Sequence, residues 1–237
     1  MSELAQKLKS LTVLQIGVVL LVAGVLVGVL HFYPEVWPLG SFINEFYANA
    51  STELISIAIT VLIIDRLYQR RQTEQAKELR IKRYREEIED YLGWQSEEAT
   101  HRIVGLIKRL NREGVTNINL VEAHLEGAHL EEAHLGKAQL MAANLKGANL
   151  KGADLEGADL TTAHLDGANL REAHLREAHL EGAHLDGAHL DGAHLDGADL
   201  RIAHLEGVDL VRAVWNKHTT WPEHFDPKEA GATKVEE

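Results

Sequence analysis

Residues 180–200 read Leu180-Glu181-Gly182-Ala183-His184-Leu185-Asp186-Gly187-Ala188-His189-Leu190-Asp191-Gly192-Ala193-His194-Leu195-Asp196-Gly197-Ala198-Asp199-Leu200. The pattern reaches far beyond this stretch. From Leu120 to Leu210 every fifth residue is leucine, nineteen times without a break, and alanine stands two places before nearly every one. On an α-helix, successive leucines would step by about 140° and smear around the axis. On a flat strand, an odd period would send alternate leucines to opposite sides of the sheet. A chain that turns a corner at every fifth residue buries all of them together. Gly127, Gly147, Gly157, Gly187, Gly197 and Gly207, each two places after a leucine, suit such corners.

The motif Ala-His/Asp/Asn-Leu-x-x, from Asn119 to Trp215, resembles the pentapeptide-repeat family. The resemblance implies an all-β, right-handed quadrilateral β-helix with four pentapeptides per coil. It places Leu and Ala inward and the residue between them outward. About five coils at roughly 4.8 Å each make a rod on the order of 24 Å long. Outward residues twenty apart then stack, and most of the charges agree with this: Arg176 precedes Asp196 and Glu181 precedes Arg201, with Lys151 beside Arg171 as the exception. Trp221-Pro222-Glu223-His224-Phe225-Asp226-Pro227 resembles the tail that follows many bacterial repeats of this kind. With Trp215 it is expected to close the last coil.

The first 65 residues belong to another class. Leu11 to Leu30 is an uncharged run long enough to span a bilayer, with a cleaved signal peptide as the competing reading. A second, weaker apolar segment runs over 46–64 through Asn49, Ser51, Thr52 and Glu53. The two together predict an N-terminal α-helical transmembrane hairpin over 1–65. Its linking loop carries Phe32, Tyr33, Trp37, Phe42, Phe46 and Tyr47, which suit a membrane interface. Lys7 and Lys9 before the first span, and Arg66, Arg70, Arg71, Lys77 and Arg80 after the second, place both chain ends in the cytoplasm. Glu45 to Arg71 also resembles a bacterial membrane-hairpin module. The expected location is a bacterial inner or other internal membrane, multi-pass, with the repeats facing the cytoplasm.

Residues 66–113 read as a charged helical stalk and N-terminal cap, 114–215 as the β-helix, and 216–237 as a C-terminal cap and tail. Ile81, Tyr84, Ile88 and Tyr91 form a short apolar seam. It serves either a two-heptad coiled coil or packing on a neighbour in the same chain. Ser96 is an N-cap candidate for a helix to Arg112, with Gly114 past its end. The apolar side of that helix, Ile103, Val104, Ile107 and Leu110, is placed to cover an open β-helix end, which would otherwise expose core and unpaired backbone.

The chain carries a formal charge of −12, mainly from the repeats, and has no cysteine. An acidic rod is a poor nucleic-acid binder. Nothing matches a nucleophile elbow, phosphate loop or zinc ribbon, so no enzyme and no cofactor is expected. Histidine is the unusual feature: ten of the fourteen occupy the outward slot between Ala and Leu. Register at twenty residues puts His124, Asn144, His164, His184 and His204 on one face, beside Glu126, Lys146, Asp166, Asp186 and Glu206. His164, His184, His204, Asp166, Asp186 and Glu206 are therefore candidate ligands for a divalent metal such as zinc, or sites for shared protons. Duplication of a Gly-Ala-His-Leu-Asp unit gives the same order with no ligand.

Three readings of function follow. The first is a non-enzymatic membrane-anchored scaffold whose partners are the lipid bilayer, an unidentified protein and copies of itself. Gly24 and Gly28, with Gly17 on the same side, permit the close helix packing that self-association needs. The second is metal- or pH-responsive binding through the stacked histidines. The third is inhibition of a DNA-binding enzyme by an acidic DNA mimic, against which the interspersed Lys and Arg argue.

Overall fold

The computed structural model describes residues 13–31 and 40–236. Among the described residues three helices, α1 (Val13–His31), α2 (Gly40–Tyr91) and α3 (Glu97–Arg112), precede the repeats. Two short strands, β1 (Val214–Trp215) and β2 (Thr233–Lys234), follow them and pair in parallel. Met1–Lys77 and Glu78–Glu237 form two compact units.

In the first unit α1 lies against α2. A Cβ placed on Gly17 would fall 2.8 Å from Leu62 Cδ2, and one on Gly24 2.7 Å from Ile55 Cγ1. The partner number falls by seven as the glycine number rises by seven, so the helices run antiparallel. Their bare glycine faces admit branched side chains. Gly17 and Gly24, expected to promote contact between copies, are thus used inside one chain. Val18, Val22, Val25, Ile57, Ile63 and Ile64 are exposed.

The expected transmembrane hairpin and the membrane location that rested on it are overturned. Among the described residues no helix is long and apolar enough to cross a membrane. In α2 the uncharged run Leu54 to Ile64 is closed by Glu53 and Asp65. At about 1.5 Å per residue that run rises about 16 Å, roughly half of a ~30 Å hydrocarbon core. Nor does a helix end at Asp65, because α2 continues to Tyr91. The cytoplasmic placement of the repeats had no other support. Residues 11 and 12 of the first expected span, Lys7 and Lys9, and Phe32, Tyr33 and Trp37 of the loop lie outside the described residues.

The second unit holds the β-helix. Parallel bridges join residues twenty apart, from Asn119↔Gln139 to His194↔Val214. Four pentapeptides therefore make one coil. Each coil is tied to the next by a repeating set of bonds: Leu165 N donates to His184 O at 2.7 Å, and His184 N donates to Ala163 O at 2.9 Å. Corners are turns closed from the second alanine back to the leucine, as in Ala168 N to Leu165 O at 2.9 Å. The third residue of each turn has positive φ. Glycine suits it, but Glu132, Lys137, Thr162 and Ile202 take it too, at φ 55°, 59°, 54° and 53°. The hydrogen bonds on both sides impose the corner on side chains that would otherwise avoid it. Leu125, Leu145, Leu165 and Leu185 form one inward column at 0 % exposure.

Both ends of the core are covered. Ser96 Oγ accepts from Ala99 N at 3.2 Å and starts α3, with Glu97 and Glu98 in the first turn and Arg109 and Arg112 in the last. Its Ile103, Val104, Leu106, Ile107 and Leu110 are buried in the same cluster as the first leucines. Ile88 is buried there too, with Ile81, Tyr84 and Tyr91 packed against it, so the α2 seam serves its own chain. At the other end Trp215 meets Trp221 edge-on at 5.9 Å, and Trp221 stacks on Phe225 at 5.4 Å. Beyond them β2 adds a partial coil, Thr233 N donating to Ala213 O at 2.8 Å.

Candidate functional site

What the repeats place on the surface is a set of ladders. On the face that carries the slots 124–204, backbone bridges run His124↔Asn144↔His164↔His184↔His204. Register at 4.8 Å or so forces equal side chains into contact. The rings of His164 and His184 stack with centroids 4.7 Å apart at 23°, and those of His184 and His204 at 4.6 Å and 3°. A second face stacks His174 on His194 at 5.1 Å and 13°.

The sequence-derived candidates His164, His184, His204, Asp166, Asp186 and Glu206 therefore share one face. Their geometry is that of a stack and not of a chelate. Parallel rings turn their π faces to each other, and their in-plane lone pairs run side by side instead of converging on one point. Two of the carboxylates have neighbours in their own chain: Asp166 Oδ2 lies 3.5 Å from Lys146 Nζ and is buried without a hydrogen bond, and Asp186 Oδ1 accepts from Glu206 N at 2.8 Å. Among the described residues no group of three or more His, Cys, Asp or Glu side chains is arranged to hold a metal ion. The six residues do not fit zinc, which needs convergent ligands at about 2 Å.

Neighbouring ladders carry ion pairs between coils. Arg176 Nε meets Asp196 Oδ2 at 3.3 Å, and Arg212 Nη2 meets Asp191 Oδ2 at 2.9 Å. Arg201 holds both Glu181, at 3.3 Å, and Asp199, at 2.7 Å. Lys151, whose column neighbour is Arg171, turns instead to Glu172 at 3.6 Å. Bonding to Arg201, aided by the Thr220 hydroxyl, holds the Asp199 carboxyl down to about 2. Burial pushes the His194 imidazole below its ordinary value, and the charge of Arg176 and the neighbouring His174 act in the same sense. His194 Nδ1 is buried without a hydrogen-bond partner, as is His189 Nδ1.

One feature of this surface had no signal in the sequence. The start of α3 overhangs the first coil and leaves a cavity of about 700 Å³ lined by Ser96, Glu97, Thr100, His101, His124 and His129, among others. Thr100 Oγ1 donates to His124 O at 3.0 Å across its floor. The two sides come from segments more than twenty residues apart that share no pattern.

The model of pentapeptide repeats matches in eight copies, over residues 118–157, 138–176, 153–192 and 178–214. Among solved structures, alr5209, a pentapeptide repeat protein from Nostoc Pcc 7120, is 44% identical, with 43% of this chain and 84% of that chain covered and a TM-score of 0.42. Rfr23, a pentapeptide repeat protein from the cyanobacterium Cyanothece 51142, is 30% identical, with 44% of this chain and 60% of that chain covered and a TM-score of 0.36. HetL, a pentapeptide repeat protein involved in heterocyst differentiation regulation from Nostoc sp. Strain PCC 7120, is 27% identical, with 52% of this chain and 62% of that chain covered and a TM-score of 0.31. No curated protein matches the chain. With the matched repeats and the identity to alr5209 over most of its length, the chain belongs to the pentapeptide-repeat family.

Proposed function

We propose that the protein is a non-enzymatic interaction scaffold whose β-helix presents flat, chemically distinct faces to protein partners, other copies of itself among them. One observation carries this reading: alanine and leucine fill the inward positions of the coils, Leu125 through Leu185 at 0 % exposure, so the chemical variety of the repeats is all on the outside. A rigid ladder holds its outward side chains at fixed intervals, and a partner reads that pattern without paying to order it. The inter-coil ion pairs interleave positive and negative charge along the rod and speak against a uniformly anionic DNA mimic.

The test is cross-linking with mass spectrometry on the full chain in its host cell. Wild type is compared with variants that replace the outward slots of one face at a time. Loss of particular cross-links with one face, at unchanged melting temperature, is the expected result. Cross-links indifferent to every face would overturn the scaffold reading.

A further inference from the structure

The face carrying His164, His184 and His204 sets a histidine beside a carboxylate in three successive coils, which makes it complementary to itself; the face of His134, Asp154, His174 and His194 is not, since Asp154 stands beside Glu156 and His174 beside Arg176. Each coil offers two outward positions, one before the leucine and one after it. A two-fold axis parallel to the rod exchanges these columns, so the first column of one copy meets the second column of the other, coil by coil. In the last three coils the opposed pairs are His164 with Asp166, His184 with Asp186 and His204 with Glu206. The coil that departs from this pattern departs in both columns: Lys146 stands where a carboxylate would be, and its opposite number is the neutral Asn144. No like charges meet in this register. An axis across the rod would instead put histidine on histidine and carboxylate on carboxylate.

Two structural facts fit the same arrangement. Among the described residues no hydrogen bond joins these three histidines to a carboxylate of their own chain, whereas on the next face His129 Nδ1 lies 3.3 Å from Glu131 Oε1. And one of its two corners is bare: Gly167, Gly187 and Gly207 have open space where a Cβ would go, while the other carries Thr162, Gly182 and the exposed Ile202. The corresponding corner of the next face carries Glu132, Glu172 and Arg212.

We propose that this face docks on the same face of a second copy, with the two-fold axis parallel to the rod and the last three coils in register; this rests on the scaffold reading. The patch is small, about 14 Å by 10 Å, well below the roughly 800 Å² per partner of a standard interface. Neutral imidazoles hold it weakly. Within one chain, protonation sets like charges 4.6–4.7 Å apart along the stack. In the dimer each imidazolium faces a carboxylate, and the bond becomes charge-assisted. The other charged groups around the column are Glu126 and Lys146 and, in the cavity that His124 lines, Glu97 and His101 of α3.

The chain has no cysteine, so single labels can be placed at will. Spin labels at E132C and E172C, two coils apart on one exposed corner, report the geometry by pulsed dipolar spectroscopy on the full chain. The intermolecular distance is expected to be the same at both sites. Distances that differ between the two sites mean an antiparallel pair and overturn the proposal. A triple variant H164N/H184N/H204N and a second, D166N/D186N/E206Q, each lose the signal alone. Mixed together they recover part of it, since one supplies carboxylates and the other imidazoles. Signal that survives in either variant alone, or no recovery on mixing, assigns association to another surface. If self-association fails these tests while face-dependent cross-links to other proteins persist, only this inference falls.

Discussion

The side-chain amide of Asn111 pairs with both backbone groups of His134: Nδ2 donates to His134 O at 2.7 Å, and His134 N donates to Oδ1 at 2.9 Å. A primary amide has the donor and acceptor of a peptide unit. Asn111, at the end of α3, thus stands in for the strand that the first coil lacks on that side. Asn111→Ala removes both bonds, and because His134 is exposed and water can take their place, it is expected to cost only about 0.5–1.5 kcal/mol. In a solenoid the loss stays local. Hydrogen exchange should quicken around His134 and leave the amides around His194 unchanged. Asn111→Asp should be worse than its size suggests, since it sets a carboxylate against the His134 carbonyl.

Gly17 and Gly24 face the same helix but should not respond alike. At Gly17 the nearest atom is the end of the Leu62 side chain, which can swing away. At Gly24 the neighbours are Ile55 Cγ1 and, at 3.2 Å, the Ile55 backbone nitrogen, which cannot. Gly17→Ala should therefore be neutral or stabilising, because alanine gains up to about 1 kcal/mol of helix propensity. Gly24→Ala should destabilise the helix pair by about 1–3 kcal/mol. Thermal melts of the full chain, followed by helical circular dichroism, separate the two.

Acid should weaken the last coil through Asp199. Its folded value of about 2 lies below the ordinary 3.8. The stabilisation is thus present above about pH 4 and lost as pH falls towards about 2. Arg201 is 58% exposed, so solvent screens the pair, and Asp199→Asn should cost only about 1 kcal/mol at neutral pH. The difference between wild type and variant, measured by denaturant unfolding, should vanish near pH 2.

His194 acts in the opposite sense. Its folded value is lowered, so the unfolded chain binds a proton more readily. Stability is full above about pH 6.5 and declines as pH falls below it. Replacing His194 with Asn should flatten that decline. Replacing the exposed His129 should not. Unfolding midpoints at a series of pH values decide the matter.

The rod was legible because a five-residue period excludes both a helix and a flat strand; the four-repeat coil, and with it the columns, came from the resemblance to pentapeptide repeats, supported by most of the charges at a twenty-residue offset. The caps were legible in part. Ser96 and the apolar side of α3 announce themselves locally, but the partner of Asn111 lies 23 residues on, and no local pattern connects them. The histidine face was legible as a list and not as a geometry: numbering brings His164, His184 and His204 together, but only ring orientation distinguishes a stack from a chelate. The N-terminal reading failed at α2. Its apolar centre was extended backwards through Glu53 to reach a bilayer's thickness, whereas the helix continues forwards through Asp65 to Tyr91.

The bridges keep a twenty-residue interval up to His194↔Val214 and then slip to twenty-one at Asp199↔Thr220. The slip marks where the rod ceases to be extensible. Upstream of it, an inserted block of twenty residues lengthens the rod by one step of about 4.8 Å and leaves every ladder aligned. A block of five turns everything beyond it by a quarter and scrambles all four faces at once. Genetic change in such a molecule is quantised: length can grow in whole coils without cost to surface pattern, and a single extra pentapeptide rewrites the surface without disturbing the core.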